Sequence, residues 1–189
     1  FSVDEINEYA LNYEISVIIN KFLHKEDLNK IKNILKNLKN IKYFFIEDFG
    51  LINLIDKSKI VLYPNHIISN YKSINYLKTM GIDNVVVSNE LSVGELKEIK
   101  ENTNSNLYYF YIGKNNIMYS NRELVSNYYE NYDIKDNPNM INIKEVVSGH
   151  DLTLLEESRS TVMFDDKIFC ASKNLDELKK STEEATEEA

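Results

Sequence analysis

Four apolar runs in this 189-residue chain end in side chains able to handle protons, metals or amides. They are Asn20, then Glu47 with Asp48, then Asn65 with His66, then Ser88 with Glu90; a fifth run ends in Gly113. Asp48 and Glu90 can serve as a general base or as metal ligands, because paired carboxylates hold different protonation states when burial and neighbours differ. His66 can assist as an acid, or simply cap the helix that starts near Asn70. Each position also has a plain reading, since the chain leaving a strand is usually polar. A divalent metal is compatible with the carboxylates, but no ligand spacing demands one. The sequence contains no G-x-S-x-G, no H-E-x-x-H and no phosphate-binding glycine loop, and Gly113-Lys114 is only a fragment of such a loop. His24 and His150 lack supporting neighbours and read as surface residues.

Arg122 stands out because the chain otherwise chooses Lys; its one other arginine is Arg159. Heavy use of Asn, Lys and Ile points to an AT-rich genome, so a retained guanidinium carries information. Its planar fork suits bidentate binding of carboxylate or phosphate, which Lys cannot copy. Arg122 can clamp an anionic substrate group, or pair with Glu90 or Asp48. The tyrosines from Tyr128 to Tyr132 read as packing or an interface rather than a nucleic-acid platform, for want of basic partners.

The elements that must position these residues alternate. Ser2-x-x-Glu5 is a capping box opening a helix to about Tyr13. Strands are predicted at Glu14–Ile19, Tyr43–Ile46, Ile60–Tyr63, Val85–Val87 and Leu107–Ile112. Helices are predicted at Lys25–Asn40, from Ser69 to Met80 with Gly81 as C-cap, and from Ser92 to Glu101, with a short helical piece at Leu51–Ile55. Ser92-x-x-Glu95 is a second capping box. Alternation at this spacing predicts βαβ units and a parallel sheet, whose chemistry gathers at the C-terminal strand ends. Beyond it, Asn131–Asn139 reads as a loop. Thr161–Phe164 and Lys167–Cys170 flank Asp165-Asp166 as a hairpin, and Asn174–Lys180 reads as a last helix. The acidic STEEATEEA terminus is expected to be disordered.

Composition narrows the classes. Hydrophobic residues make up 43% and charged residues 28%, ordinary for a globular domain with one core. The net charge of −8 argues against a general attraction to nucleic acid or an anionic membrane. No apolar run approaches the roughly 20 residues that span a bilayer. Cys170 is the one cysteine, so no internal disulfide or cysteine-held cluster can form within this chain. A reducing, cytoplasmic setting fits. The first residue is Phe rather than Met, which suggests a trimmed or partial chain.

The order VIINKF, FIEDFGLI, VVVSNELSVGELKEI and FYIGKNNIMYSNRELVSNYY resembles the collagenase-like peptidase family U-thirty-two. The resemblance runs from about Glu14 to Tyr129, with a looser echo in Thr161–Leu175. It implies a (β/α) TIM-type barrel and a peptidase activity, with interest falling on Asn20, Asp48, Asn70, Glu90, Gly113, Met118, Ser120 and Arg122. Relatives of the family hydroxylate RNA bases or quinone rings with a cysteine-held cluster. This sequence departs from them around Glu123, where no thiol occurs, which disfavours an iron–sulfur cofactor. A closed eight-stranded barrel takes about 250 residues, and five barrel-like strands can be placed here. The family's first strands would precede Phe1.

The expected architecture is thus a partial (β/α) barrel over residues 1–130. A C-terminal extension with a hairpin follows over 131–180, then an acidic tail over 181–189. The leading functional reading is a peptidase acting on peptide or protein substrates. Asp48, Glu90 and His66 would be catalytic, and Asn20, Asn70, Ser120 and Arg122 would bind substrate, with no cofactor required. The alternative is a non-catalytic binding or assembly module, or a subunit of an RNA or cofactor hydroxylation system. A second copy or a partner chain would then complete the barrel.

Overall fold

A computed structural model describes residues 1–19, 23–64, 68–136, 138–157, 159–172 and 174–177. The described residues fall into two units, Phe1–Phe110 with Glu177, and Tyr111–Asp176.

In the first unit the strands are β1 (Ile15–Ile19), β2 (Ile41–Ile46), β3 (Ile60–Leu62), β4 (Asn84–Val86) and β5 (Asn106–Tyr108). The helices are α1 (Val3–Tyr9), α2 (Asp27–Asn37), α3 (Tyr71–Thr79) and α4 (Val93–Glu101). Both capping boxes form as the sequence predicts: Ser2 with Glu5 opens α1, and Ser92 with Glu95 opens α4. The cap of α3 differs by one residue. Asn70 Oδ1, not Ser69, accepts the N–H of Ser73 at 2.9 Å. Gly81 follows α3 at φ +85°, the left-handed conformation that a residue without Cβ adopts at least cost.

All five strands are parallel and lie side by side in chain order. That order never reverses, and α2, α3 and α4 all pack on the same face. Ile31 and Leu35 from α2, Ile74 and Leu77 from α3, and Leu96 and Ile99 from α4 share one core with Phe44, Ile46, Ile60, Leu62, Val85 and Val87. Alternation sends Tyr43, Phe45, Val61, Val86 and Tyr108 to the opposite face. There the Tyr108 ring meets Tyr43 at 6.4 Å and Phe45 at 5.7 Å between centroids, both edge to face. In a flat sheet β2 and β5 would stand three strand spacings apart, about 14 Å. The sheet therefore curls, with the helices outside and the aromatic rings on its concave side. β1 and β5 end the strand order and are not paired with each other, so the described strands form an open curved sheet.

The second unit is an antiparallel sheet. Its strands are β6 (Ile112–Ser120), β7 (Met140–Lys144), β8 (Asp151–Glu157) and β9 (Ser160–Cys170), in the order β6-β9-β8-β7, with α5 (Leu124–Asn131) beside them. Two expectations are corrected here. The single strand expected over Leu107–Ile112 is divided, because its first half pairs with β4 and Ile112 begins β6, opposite Cys170. The two pieces around Asp165-Asp166 are one continuous strand, β9, rather than a hairpin. The hairpins in this region are instead β7–β8 and β8–β9, the latter paired from Glu157 with Ser160 onward. Residues 174–177 are helical, in line with the start of the predicted last helix. Residues 178–189 lie outside the described residues, as does the expectation of disorder there.

Candidate functional site

Two residues close the concave face at the C-terminal ends of β2 and β3. Phe45 and Val61 are register partners, so two residues on, Glu47 and Tyr63 follow on the same parity. Glu47 is only 5% exposed, an uncommon burial for a carboxylate. Its backbone N–H donates to the Ile19 carbonyl at 3.4 Å, and the Tyr63 N–H donates to the Ile46 carbonyl at 2.8 Å, carrying the ladder past the strand ends. Burial pushes the Tyr63 phenol above its usual pKa, and the nearby Glu47 charge pushes it further. The pair thus joins a shielded carboxylate to a phenol held in its neutral, hydrogen-bonding form.

At the end of β4, Ser88 is buried and is held through its own N–H, which donates to the Ile68 carbonyl at 2.9 Å. Ser88 Oγ accepts the Glu90 N–H at 3.3 Å, and the Asn89 carbonyl accepts the Tyr109 hydroxyl at 3.3 Å. Glu90 itself is exposed in the turn that precedes the α4 capping box. Asp48 has a different occupation. Its two carboxylate oxygens accept backbone N–H groups, Oδ2 from Leu23 and Oδ1 from Gly50, each at 2.7 Å. Asp48 is the N-cap of the short 3-10 turn Phe49–Leu51 and a tie between the segments that follow β1 and β2.

The sequence profile of Peptidase family U32 matches residues 2–184, nearly the whole chain. The chain belongs to this family. A curated relative, "tRNA hydroxylation protein P1" of Bacillus subtilis (strain 168), is 30% identical over 139 residues. The alignment takes in 68% of this chain and 33% of that protein, so the chain spans about a third of the relative's length. No solved structure gives a significant match.

On this U32 chain the residues singled out in the sequence divide between the two units. Asp48, Asn70 and Glu90 belong to the parallel sheet unit. Asn70 Oδ1 is engaged by Ser73, whose hydroxyl also donates to it at 3.3 Å. Ser120 and Arg122 belong to the antiparallel unit. Ser120 is the last residue of β6, opposite Thr161. The Arg122 side chain is exposed, while its carbonyl accepts the buried Thr161 hydroxyl at 2.7 Å. Asn20 and His66 lie outside the described residues.

The sequence places Glu47 beside Asp48 at one strand end, and strand parity separates the two. Phe44 and Ile46 face the helices, so Glu47 shares the concave face with Tyr43 and Phe45, and Asp48 does not. His150 corrects the sequence reading outright: it is partly buried, with Nε2 lying 3.0 Å from Asp165 Oδ1. Cys170 is an exposed free thiol and the chain's one cysteine. The residues present therefore do not fit a cysteine-held iron–sulfur cluster. Among the described residues, no helix is long and apolar enough to cross a membrane.

Proposed function

We propose that this chain is part of a (β/α) barrel serving tRNA hydroxylation, with the concave end of the sheet turned toward a nucleobase. The observation that carries this reading is the 30% identity with a relative named for tRNA hydroxylation, across 68% of this chain. The fold supports the barrel: strand order without reversal, helices on one face, and rings meeting across the concave side are what a singly wound barrel wall requires. The chemistry of the rim supports the ligand. A shielded carboxylate such as Glu47 accepts a ring or exocyclic N–H, and a neutral phenol such as Tyr63 donates or stacks, which is how an unstacked base is read. The net charge of −8 does not favour phosphate tracking, so in this reading the tRNA backbone is held by other parts of the assembly. The oxidising group also comes from outside these residues, since one thiol cannot hold a cluster.

The family's own name favours a second reading, peptide hydrolysis with Glu47 or Glu90 as the acid or base. One pair of experiments separates the two. Nucleosides from tRNA of the host, with and without the gene, are compared by mass spectrometry, and the purified protein is assayed on gelatin and a mixed peptide library. The first reading expects a nucleoside one oxygen lighter in the deletion strain and no peptide cleavage above that of Glu90→Gln and Glu47→Gln. Unchanged nucleosides with cleavage lost in either variant would establish the peptidase instead.

A further inference from the structure

β9 shifts its register with β6 at two places, and the wider shift lies between Lys114 and Asn116. Lys114 faces Ile168 and Asn116 faces Phe164, so Asp165, Asp166 and Lys167 together answer to the single residue Asn115. In a regular strand the side chains of Asp165 and Asp166 would point to opposite faces; a bulge removes that separation. His150, in the turn before β8, meets them there. Its Nε2 lies 3.0 Å from Asp165 Oδ1, and one ligand-type atom from each of His150, Asp165 and Asp166 falls within 4.8 Å of the other two. The Lys167 N–H donates to Asp165 Oδ1 at 3.0 Å and helps to fix that carboxylate beside Asp166 and the imidazole.

From this geometry we infer that His150, Asp165 and Asp166 form a binding site for a divalent transition-type cation, with Zn2+ the best fit. One imidazole and two carboxylates make a mixed nitrogen and oxygen set, which suits Zn2+ better than the hard cations Mg2+ or Ca2+. Bond lengths of about 2.0–2.2 Å place tetrahedral donors about 3.4 Å apart. The His150 and Asp165 atoms already stand near that separation. The exposed Asp166 has to close by at most about 1.4 Å, within reach of a side-chain rotation. Three protein ligands leave one position for water or another small ligand. The site does not depend on the functional reading above.

The test is calorimetric titration of the whole, tag-free chain with ZnCl2 and, separately, MgCl2. Wild type is compared with Asp166→Asn and His150→Gln, each checked for folding by circular dichroism. The expected result is one saturable Zn2+ equivalent with no comparable Mg2+ site. Asp166→Asn should weaken Zn2+ on the order of 10- to 100-fold, at least the cost of losing an outer-shell partner, and His150→Gln should weaken it as much or more. Asp166 is exposed, so its variant keeps the fold and the comparison stays interpretable even if His150→Gln does not fold. No saturable Zn2+ site in wild type, or an affinity unchanged in Asp166→Asn, overturns the assignment.

Discussion

Asp48 Oδ2 accepts the backbone N–H of Leu23 at 2.7 Å, tying together two chain segments 25 residues apart. The other oxygen holds the Gly50 N–H, so the carboxylate serves as a two-ended clasp at the exits of β1 and β2. This makes Asp48 a positioning residue for the rim and leaves Glu47 as its shielded acid.

Asp48→Ala should therefore lower stability by about 1–3 kcal/mol, because it removes a cap and strands the Leu23 N–H without its acceptor. Urea denaturation followed by circular dichroism checks the value. A change below about 0.5 kcal/mol would show that the clasp contributes little.

Glu47→Gln should lower the pKa of Tyr63. Burial is the larger cause of the raised Tyr63 phenol, and it stays; the Glu47 charge is the second cause, and the substitution removes it. A negative neighbour disfavours phenolate, so its loss shifts the titration downward. Ultraviolet difference titration against Tyr63→Phe, in wild-type and Glu47→Gln backgrounds, isolates this tyrosine from the others.

Tyr108 supports the curl of the parallel sheet through its edge contacts with Tyr43 and Phe45. Tyr108→Ala should cost about 2–3 kcal/mol, while Tyr108→Phe keeps the ring contacts and should cost about 1 kcal/mol or less. Thermal unfolding of the two variants beside wild type measures the difference. Equal losses would locate the contribution in the hydroxyl instead of the ring.

Glu156 caps α5 from a neighbouring strand. Its carboxylate accepts the N–H groups of Val125, at 2.8 Å, and Ser126, at 3.2 Å, together with the Ser126 hydroxyl. Burial alone would raise its pKa, but these bonds and the Thr161 hydroxyl outweigh burial and hold it below the usual value of 4.5. A depressed folded pKa stabilises above the unfolded value, and that contribution is lost as pH falls through the folded one. The stability difference between wild type and Glu156→Gln should be constant near neutral pH and shrink below about pH 4.5. Unfolding curves from pH 7 to pH 3 test the sign; a gap that widens toward acid would contradict it.

The parallel unit was legible because buried parallel strands are short apolar runs. IVLY and VVV announce themselves, and the capping boxes at Ser2 and Ser92 mark the helices with local chemistry. The antiparallel unit was not. β6 reads Ile-Gly-Lys-Asn-Asn, with no alternation to find, and β9 carries two aspartates at a bulge where turn chemistry was the natural reading. The role of Asp48 depends on a backbone group 25 positions away, which no local pattern reveals. Glu47 was within reach through strand parity. His150 meets Asp165 only because β8 and β9 pair.

The central claim is that the buried end of the parallel sheet, and Glu47 in it, serves tRNA hydroxylation. Its most direct test is mass spectrometry of tRNA nucleosides from a deletion strain complemented with wild type, Glu47→Gln or Asp48→Asn, at matched protein levels. The account predicts that wild type restores the hydroxylated nucleoside, that Asp48→Asn restores it in proportion to folded protein, and that Glu47→Gln does not. Restoration by Glu47→Gln, or a deletion strain whose nucleosides never changed, would contradict it.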